Sequence, residues 1–420
     1  MSTEILVSGT PEGYDAKIIL NEIKHQGNSV IHIARDDKRM RAMGDALKFF
    51  KPDLAVFEFP SWDCLPYDRV SPNLEISSAR MGILSKFADN IAKEYVVLTT
   101  LNAVLQKVPC SSVVKSYGFK AVVGRNINES NLREFLVRMG FTKSSTVREA
   151  GEYAIRGGII DIFPPRYSNP VRLDLFGTIL DGARLFDPET QLTIKKLHEI
   201  ELAPVSEVVL DEFSIRNFRQ SYRAEFGSSL SNDHLYESVS AGRKYQGLEH
   251  WLPLFYEKLD TFFSYFPSAT VTMYKNLETD LSSRCKLVAD QYEARNFAND
   301  NKPTKDYAYK PLKPTALYLD EADWVNLIKT RRTLIFDPLP QPLGPNIIDS
   351  GGRAGRNFAP ERQSNNLNLF SSLADHLKTR LQSGPVLIAS YSEGSLERLS
   401  GLLTDEGLDR PVAVSNWSMV

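Results

Sequence analysis

Cysteine is scarce in these 420 residues: Cys64, Cys110 and Cys285 are an odd number, spread far apart. They cannot form a disulfide framework or a four-thiolate zinc site, and they suit a reducing compartment. The six histidines, His25, His32, His198, His234, His250 and His376, show no metal-ligand spacing, so core or surface roles are expected for them and no metal site. No apolar run approaches the roughly 20 residues that span a bilayer. The start, Met-Ser-Thr-Glu followed by Ile5-Leu6-Val7, lacks the basic and long apolar regions of an export signal. Both absences lead us to expect a cytoplasmic chain with no membrane partner. An excess of one charge is missing too. The 50 Lys and Arg stand against 52 Asp and Glu, a net of -2, so no global positive field draws the chain onto DNA.

What is present is core-forming material. Hydrophobic residues make up 42% and aromatics 10%, a composition that folds throughout, and the length asks for roughly two to four domains. Up to about residue 110, short apolar runs alternate with helical periods. Ile5-Leu6-Val7, Val30 to Ala34, Leu54 to Phe59 and Tyr95 to Thr99 read as strands. Ala16, Ile19, Leu20 and Ile23 line one helix face, Asp36 can cap a second helix, and Ser77 to Phe87 reads as a third. This alternation predicts a parallel sheet with crossover helices. From Glu152 to about Leu210, strand signals separated by Pro, Gly and Asp turns predict a small antiparallel sheet.

The expected division is an α/β first part over 1-120, an antiparallel β-rich insert over 121-210, and a second α/β part over 211-340. In that second part Ala289 to Asn301 is polar and partly helical before Lys302-Pro303. A linker follows over 341-366, containing Gly351-Gly352-Arg353-Ala354-Gly355-Arg356, and then the beginning of a further α/β domain over 367-420. In that last stretch helices are expected around Leu373 to Leu381 and Leu396 to Leu403, with a strand over Val386 to Ser390. A new strand-like run, Val412-Ala-Val, comes just before Val420, so this domain is expected to be truncated.

Chemistry-bearing motifs are few. Ser8-Gly9-Thr10-Pro11-Glu12-Gly13-Tyr14-Asp15 sits between the first strand and first helix, where nucleoside triphosphatases cradle phosphate. The slots for the phosphate-binding lysine and the magnesium-binding hydroxyl hold Tyr14 and Asp15. A carboxylate there repels polyphosphate, and Pro11 removes a backbone donor. Gly9, Gly13, Tyr14 and Asp15 are therefore expected to form a degenerate loop that binds no nucleotide. Asp320-Glu321 resembles a magnesium-holding acidic pair but is expected to start a helix. No nucleophile elbow or Cys/His constellation is apparent, and no catalytic residue is assigned. In the insert, Arg156, Arg172 and Phe176 have the composition of a protein-binding hot spot. Spacing alone favours the plainer alternative, in which Phe176 is core and the arginines are solvated. Residues 151 to 210 carry six basic and nine acidic side chains, which points away from nucleic acid and toward a protein partner.

Glu152-Tyr-Ala-Ile-Arg-Gly-Gly-Ile-Ile-Asp-Ile-Phe-Pro164, Val171-Arg-Leu-Asp-Leu-Phe-Gly177 and Leu185-Phe-Asp-Pro188 resemble the UvrB-homology module. That module is shared by the excision-repair protein UvrB and the bacterial transcription-repair coupling factors. Trp62-Asp-Cys-Leu-Pro-Tyr-Asp68, Ser71-Pro72, Ser77-Ser-Ala-Arg80, Val96 to Pro109, Gly247 to Tyr256 and Phe263 to Pro267 are similar to the coupling factors in particular. Between Leu65 and Ile83 the only aromatic is Tyr67, so the tyrosine-rich DNA-clamping hairpin of UvrB has no counterpart.

The resemblance implies a degenerate helicase-like parallel-sheet domain carrying an inserted UvrA-binding domain, in the amino-terminal region of a longer factor. In that family the full protein binds stalled RNA polymerase, moves on double-stranded DNA with a carboxy-terminal ATPase motor and recruits UvrA. The polymerase-interacting and motor domains are not in this sequence, so ATP and Mg2+ are expected only there and no cofactor is expected here. Arg156, Arg172 and Phe176 match the family's UvrA contacts, which reverses the preference that spacing alone suggests. Recruitment without catalysis is the resulting expectation. Two rivals are an ATP-dependent, UvrB-like damage-binding module, and a DNA-binding module using the basic residues between Arg353 and Arg362.

Overall fold

The computed structural model describes residues 4-88, 94-227, 233-300, 309-363 and 368-420. The expected Lys302-Pro303 junction and the last three residues of the expected linker lie outside them. The chain divides into two compact units. One comprises essentially Glu22–Arg41 and Ala55–Phe336, the other Leu6–Asn21, Ala42–Leu54 and Asp337–Val420.

The first unit contains parallel strands in the order Thr333–Phe336, Thr270–Tyr274, Val30–Ala34, Tyr95–Thr100 and Ala55–Phe59. All residues of Val30–Ala34 and Tyr95–Thr100 are buried, as in a sheet covered on both faces, which is why these runs read as continuous apolar segments. In Val30–Ala34, His32 is the polar exception. Its Nδ1 lies 2.9 Å from Thr272 Oγ1 on the adjacent strand, and burial pushes the imidazole pKa down to about 4. The helix that follows Val30–Ala34 is Asp37–Phe50, and Asp36 caps it through the Arg39 amide at 2.8 Å. Of the polar helical stretch expected over Ala289 to Asn301, residues 289-300 belong to one helix, Leu277–Asp300, and Asn301 lies outside the described residues.

The insert is held by the helix Leu74–Phe87, whose Asn73 cap accepts from the Glu75 amide. Arg80 of this helix is fully buried. It pairs with Glu207 at the end of the insert, donates to the Pro60 carbonyl at 2.8 Å and lies 4.3 Å over the Phe59 ring. Two residues further along, the same helix makes a second contact. A Cβ at Gly82 would collide with the Pro165 carbonyl, so only glycine lets the insert approach this closely.

Within the insert, six strands run in the order Thr193–Leu197, Ile179–Phe186, Val171–Phe176, Ile159–Ile162, Glu152–Arg156 and Thr142–Lys143. Neighbours are antiparallel except the last pair, Thr142–Lys143 beside Glu152–Arg156, which is parallel. Phe119–Val122 pairs separately with Glu199–Leu202. One sheet face is apolar: Ile160, Ile162, Val171, Leu173 and Leu180 share a core with Leu132 and Leu136 of the helix Glu129–Arg138. Because side chains alternate along a strand, the residues between them face away from this core.

In the second unit, Leu6 to Ser8 pair in parallel with Ile347–Asp349. The stretch expected to be a structureless linker therefore supplies a strand, and a helix at Ala359–Gln363. Helices Leu369–Leu381 and Glu393–Asp405 form as expected. Val386 to Ser390 and Val412 to Val414 do not form strands. Their backbones find no neighbouring strand among the described residues, and an apolar run without a ladder partner does not become one. Among the described residues of the α/β domain expected over 367-420, the regular elements are accordingly helical.

Candidate functional site

The three candidate residues share the outward face of the insert's sheet, where Arg156 and Arg172 meet on Asp161 and Phe176 lies four residues along the strand from Arg172. Register places Arg172 opposite Asp161 and Arg184, and Asp174 opposite Ile159 and Gly182. Phe176 stands opposite Ile179, and Arg156 opposite Ile159. Phe176 ends its strand just before the turn at Gly177, whose φ of 59° suits glycine. Its ring is 79% exposed, with Ile159 and Ile179 half exposed around it. The plainer alternative for Phe176, a core position, is thus corrected: alternation and the strand end turn it into solvent, while Leu173 on the same strand is fully buried.

The arginines are not simply solvated either. Arg172 donates from Nε to Asp161 Oδ1 at 2.6 Å and from Nη2 to Oδ2 at 2.9 Å and to Gln191 Oε1 at 3.0 Å. Its guanidinium lies 4.4 Å from the centre of the buried Phe186 ring. Hydrogen bonding to Asp161 raises the Arg172 pKa still further, so its charge is permanent. Arg156 donates from Nη2 to Asp161 Oδ2 at 2.6 Å and leaves half its side chain in solvent. Beside them Arg184 pairs with Asp174. Three guanidiniums and two carboxylates give this cluster one surplus positive charge, although residues 151-210 carry more acidic than basic side chains. Such a face can grip a carboxylate while an aromatic ring enters an apolar recess.

Sequence reading did not single out Asp161, Gln191 or the two isoleucines. The alternating Arg172, Asp174 and Phe176 carried a partial signal. Asp161 had one only once its strand was set between those of Arg156 and Arg172.

The degenerate loop lies in the other unit. The strand Glu4–Ser8 leads into it and the helix Tyr14–Gln26 leaves it. Its backbone donors are engaged within the chain: the Gly9 amide donates to the Leu339 carbonyl at 3.1 Å, Thr10 to Asp337 at 2.9 Å and Tyr14 to Pro11 at 3.1 Å. The Gly352 amide in turn reaches the Gly9 carbonyl at 3.0 Å. Gly9 has a φ of 61°, and a Cβ there would stand 2.9 Å from the Gly352 oxygen, so this crossing requires glycine. Burial pushes the Asp15 carboxyl up to about 6, against the Ala16 amide that donates to its Oδ1 at 2.9 Å. Phosphate loops present free amides and a lysine; here the amides of Gly9, Thr10 and Tyr14 are already paired and the side chain is acidic.

Asp320 caps the helix Glu321–Lys329, accepting from the Asp323 amide at 2.8 Å, as expected from its sequence position. In the basic stretch, Arg353 is paired with Asp349 at 2.5 Å and Arg356 with Glu361. No described helix is long and apolar enough to cross a membrane.

Comparison with known proteins assigns the insert. Residues 119-208 match the model of the UvrB interaction domain family. Over 381 residues the chain is 30% identical to the transcription-repair-coupling factor of Rickettsia conorii, covering 89% of this chain and 32% of that protein. Against the Escherichia coli transcription-repair-coupling factor the identity is 29% over 394 residues, 92% of this chain and 33% of the relative. The Haemophilus influenzae protein of the same description is 28% identical over 403 residues, 93% and 33%. The chain thus spans about a third of the length of the curated relatives it matches.

Proposed function

From a chain that carries a UvrB interaction domain and matches the amino-terminal region of the transcription-repair-coupling factors along most of its own length, we propose that it recruits UvrA in transcription-coupled excision repair. The proposal also holds that it does so without catalysis of its own. One observation carries the reading: the UvrB interaction domain turns Phe176 into solvent on the face where Arg156 and Arg172 converge. An exposed aromatic on the same face as fixed guanidiniums is the pattern of an interface hot spot. The occupied amides of the degenerate loop support the non-catalytic part. Binding of stalled RNA polymerase and movement on double-stranded DNA belong, in this proposal, to other domains of the factor.

Titration calorimetry of the 420-residue chain with purified UvrA tests it. Phe176→Ala should weaken binding by about thirtyfold, equivalent to about 2 kcal/mol, while leaving the unfolding free energy from urea titration unchanged within about 0.5 kcal/mol. Undiminished affinity in both Phe176→Ala and Arg156→Ala would remove UvrA from this face.

A further inference from the structure

Asp161 is a carboxylate at the middle of a face that otherwise attracts carboxylates. It points away from the core of the insert, yet its side chain has no solvent exposure, because guanidiniums from the strands on either side close over it. Arg172 grips both of its oxygens, and the Nη2 groups of Arg156 and Arg172 converge on the same Oδ2. Gln191 and the Phe186 ring fix Arg172 from two further directions. The carboxylate neutralises only one of the two cations. It also leaves donors unused: Nη1 of Arg172, and Nε and Nη1 of Arg156, have no partner among the described residues.

We propose that Asp161 is a positioning residue of the partner-binding face. It holds Arg156 and Arg172 as a two-guanidinium receptor with one net positive charge, suited to a single carboxylate of the partner protein beside the apolar contact of Phe176, Ile159 and Ile179. The inference rests on the UvrA reading for the identity of that partner. Two arginines held before the encounter lose little rotamer freedom when the carboxylate arrives, and freely rotating ones lose much. A competing role has the opposite sign. If Asp161 only moderated the positive charge of the face, removing its charge would strengthen attraction to an acidic partner.

Asp161→Asn keeps the shape and removes the charge; Asp161→Glu keeps the charge and displaces the oxygens. The first readout needs no partner: labelling by phenylglyoxal, followed by mass spectrometry, with exposed Arg410 as internal reference. Arg156 and Arg172 should both react about tenfold faster in Asp161→Asn and to an intermediate degree in Asp161→Glu. Unchanged labelling of both arginines overturns the proposal, and if Asp161→Asn does not fold, Asp161→Glu decides on the same criterion. The second readout is affinity for UvrA. Asp161→Asn should bind about tenfold more weakly and should add no further loss in an Arg156→Ala/Arg172→Ala background. Equal or tighter binding by Asp161→Asn, with Phe176→Ala still impaired, overturns the positioning role but not the UvrA reading. If Phe176→Ala and Arg156→Ala bind normally while labelling changes as expected, the UvrA reading fails and the positioning role stands.

Discussion

Phe176 forgoes burial that would be worth roughly 1.5 to 3 kcal/mol for such a ring, and stability alone gives no reason for a phenylalanine there. Other single residues pull the opposite way and set the pH response of the fold. Burial lowers His32 and His250 from 6.5 to about 4, so both are neutral in the folded chain where the unfolded chain takes up protons. The unfolded state then binds more protons, and stability rises with pH. This contribution is complete above about 6.5 and is lost as pH falls toward 4, at no more than about 1.4 kcal/mol per pH unit for each histidine. Asp15, raised by burial to about 6, acts in reverse: its folded form keeps a proton that the unfolded form releases, so its contribution is lost as pH rises from about 4 to 6. Urea midpoints measured from pH 4 to 7.5 should separate the two, because His32→Asn is expected to flatten the curve by one histidine and leave the Asp15 slope. A curve for His32→Asn that parallels the wild type would show that His32 is not held neutral. The sequence marked Val30 to Ala34 as a strand but left His32 between a core and a surface role; it is buried because Val30–Ala34 lies between two other strands, a tertiary fact.

Among the elements, the helix Leu74–Phe87 makes close contacts with the insert. It offers Gly82 to the Pro165 carbonyl and Arg80 to Glu207, two contacts of different kinds on one element. Arg80 and Glu207 are 0% and 2% exposed, so removing either leaves an ion without its partner inside the protein. Arg80→Met should destabilise the chain by about 3 to 5 kcal/mol, measured by urea unfolding. Arg80→Met combined with Glu207→Leu should recover a large part of that loss, since the stranded carboxylate is gone. A single variant as stable as the wild type would mean that the pair does not anchor the insert. Helix and strand types on this side of the chain were largely readable, because apolar period and caps such as Asp36 are local properties. The runs Val386 to Ser390 and Val412 to Val414 were misread for the converse reason. Strand propensity is local, but a strand exists only where a neighbour takes its hydrogen bonds.

At the scale of the whole molecule, the near-zero net charge and the internally paired basic stretch bear on what the chain leaves alone. Arg353 and Arg356 each face a carboxylate, so their donors are engaged where a phosphate backbone would need them. In the loop at Gly9 to Asp15, the amides of Gly9, Thr10 and Tyr14 are spent on its own chain. Saturating Mg-ATP is therefore expected to leave the melting temperature unchanged, where a bound nucleotide at a hundred times its Kd would add about 2.7 kcal/mol. Double-stranded DNA at low salt should likewise not bind, and binding that falls steeply with added salt would contradict this. By itself, the sequence determined the absence of metal-ligand and membrane-spanning patterns, the α/β alternation of the first part and the β-rich character of the insert. All of these follow from composition and from periodicities that act over a few residues. Only the tertiary structure decided that Phe176 faces water, that Arg156 and Arg172 meet on Asp161, and that the expected linker contributes a strand beside the loop. Each depends on which strand lies beside which, and strand pairing joins residues whose separation along the chain carries no periodic signal.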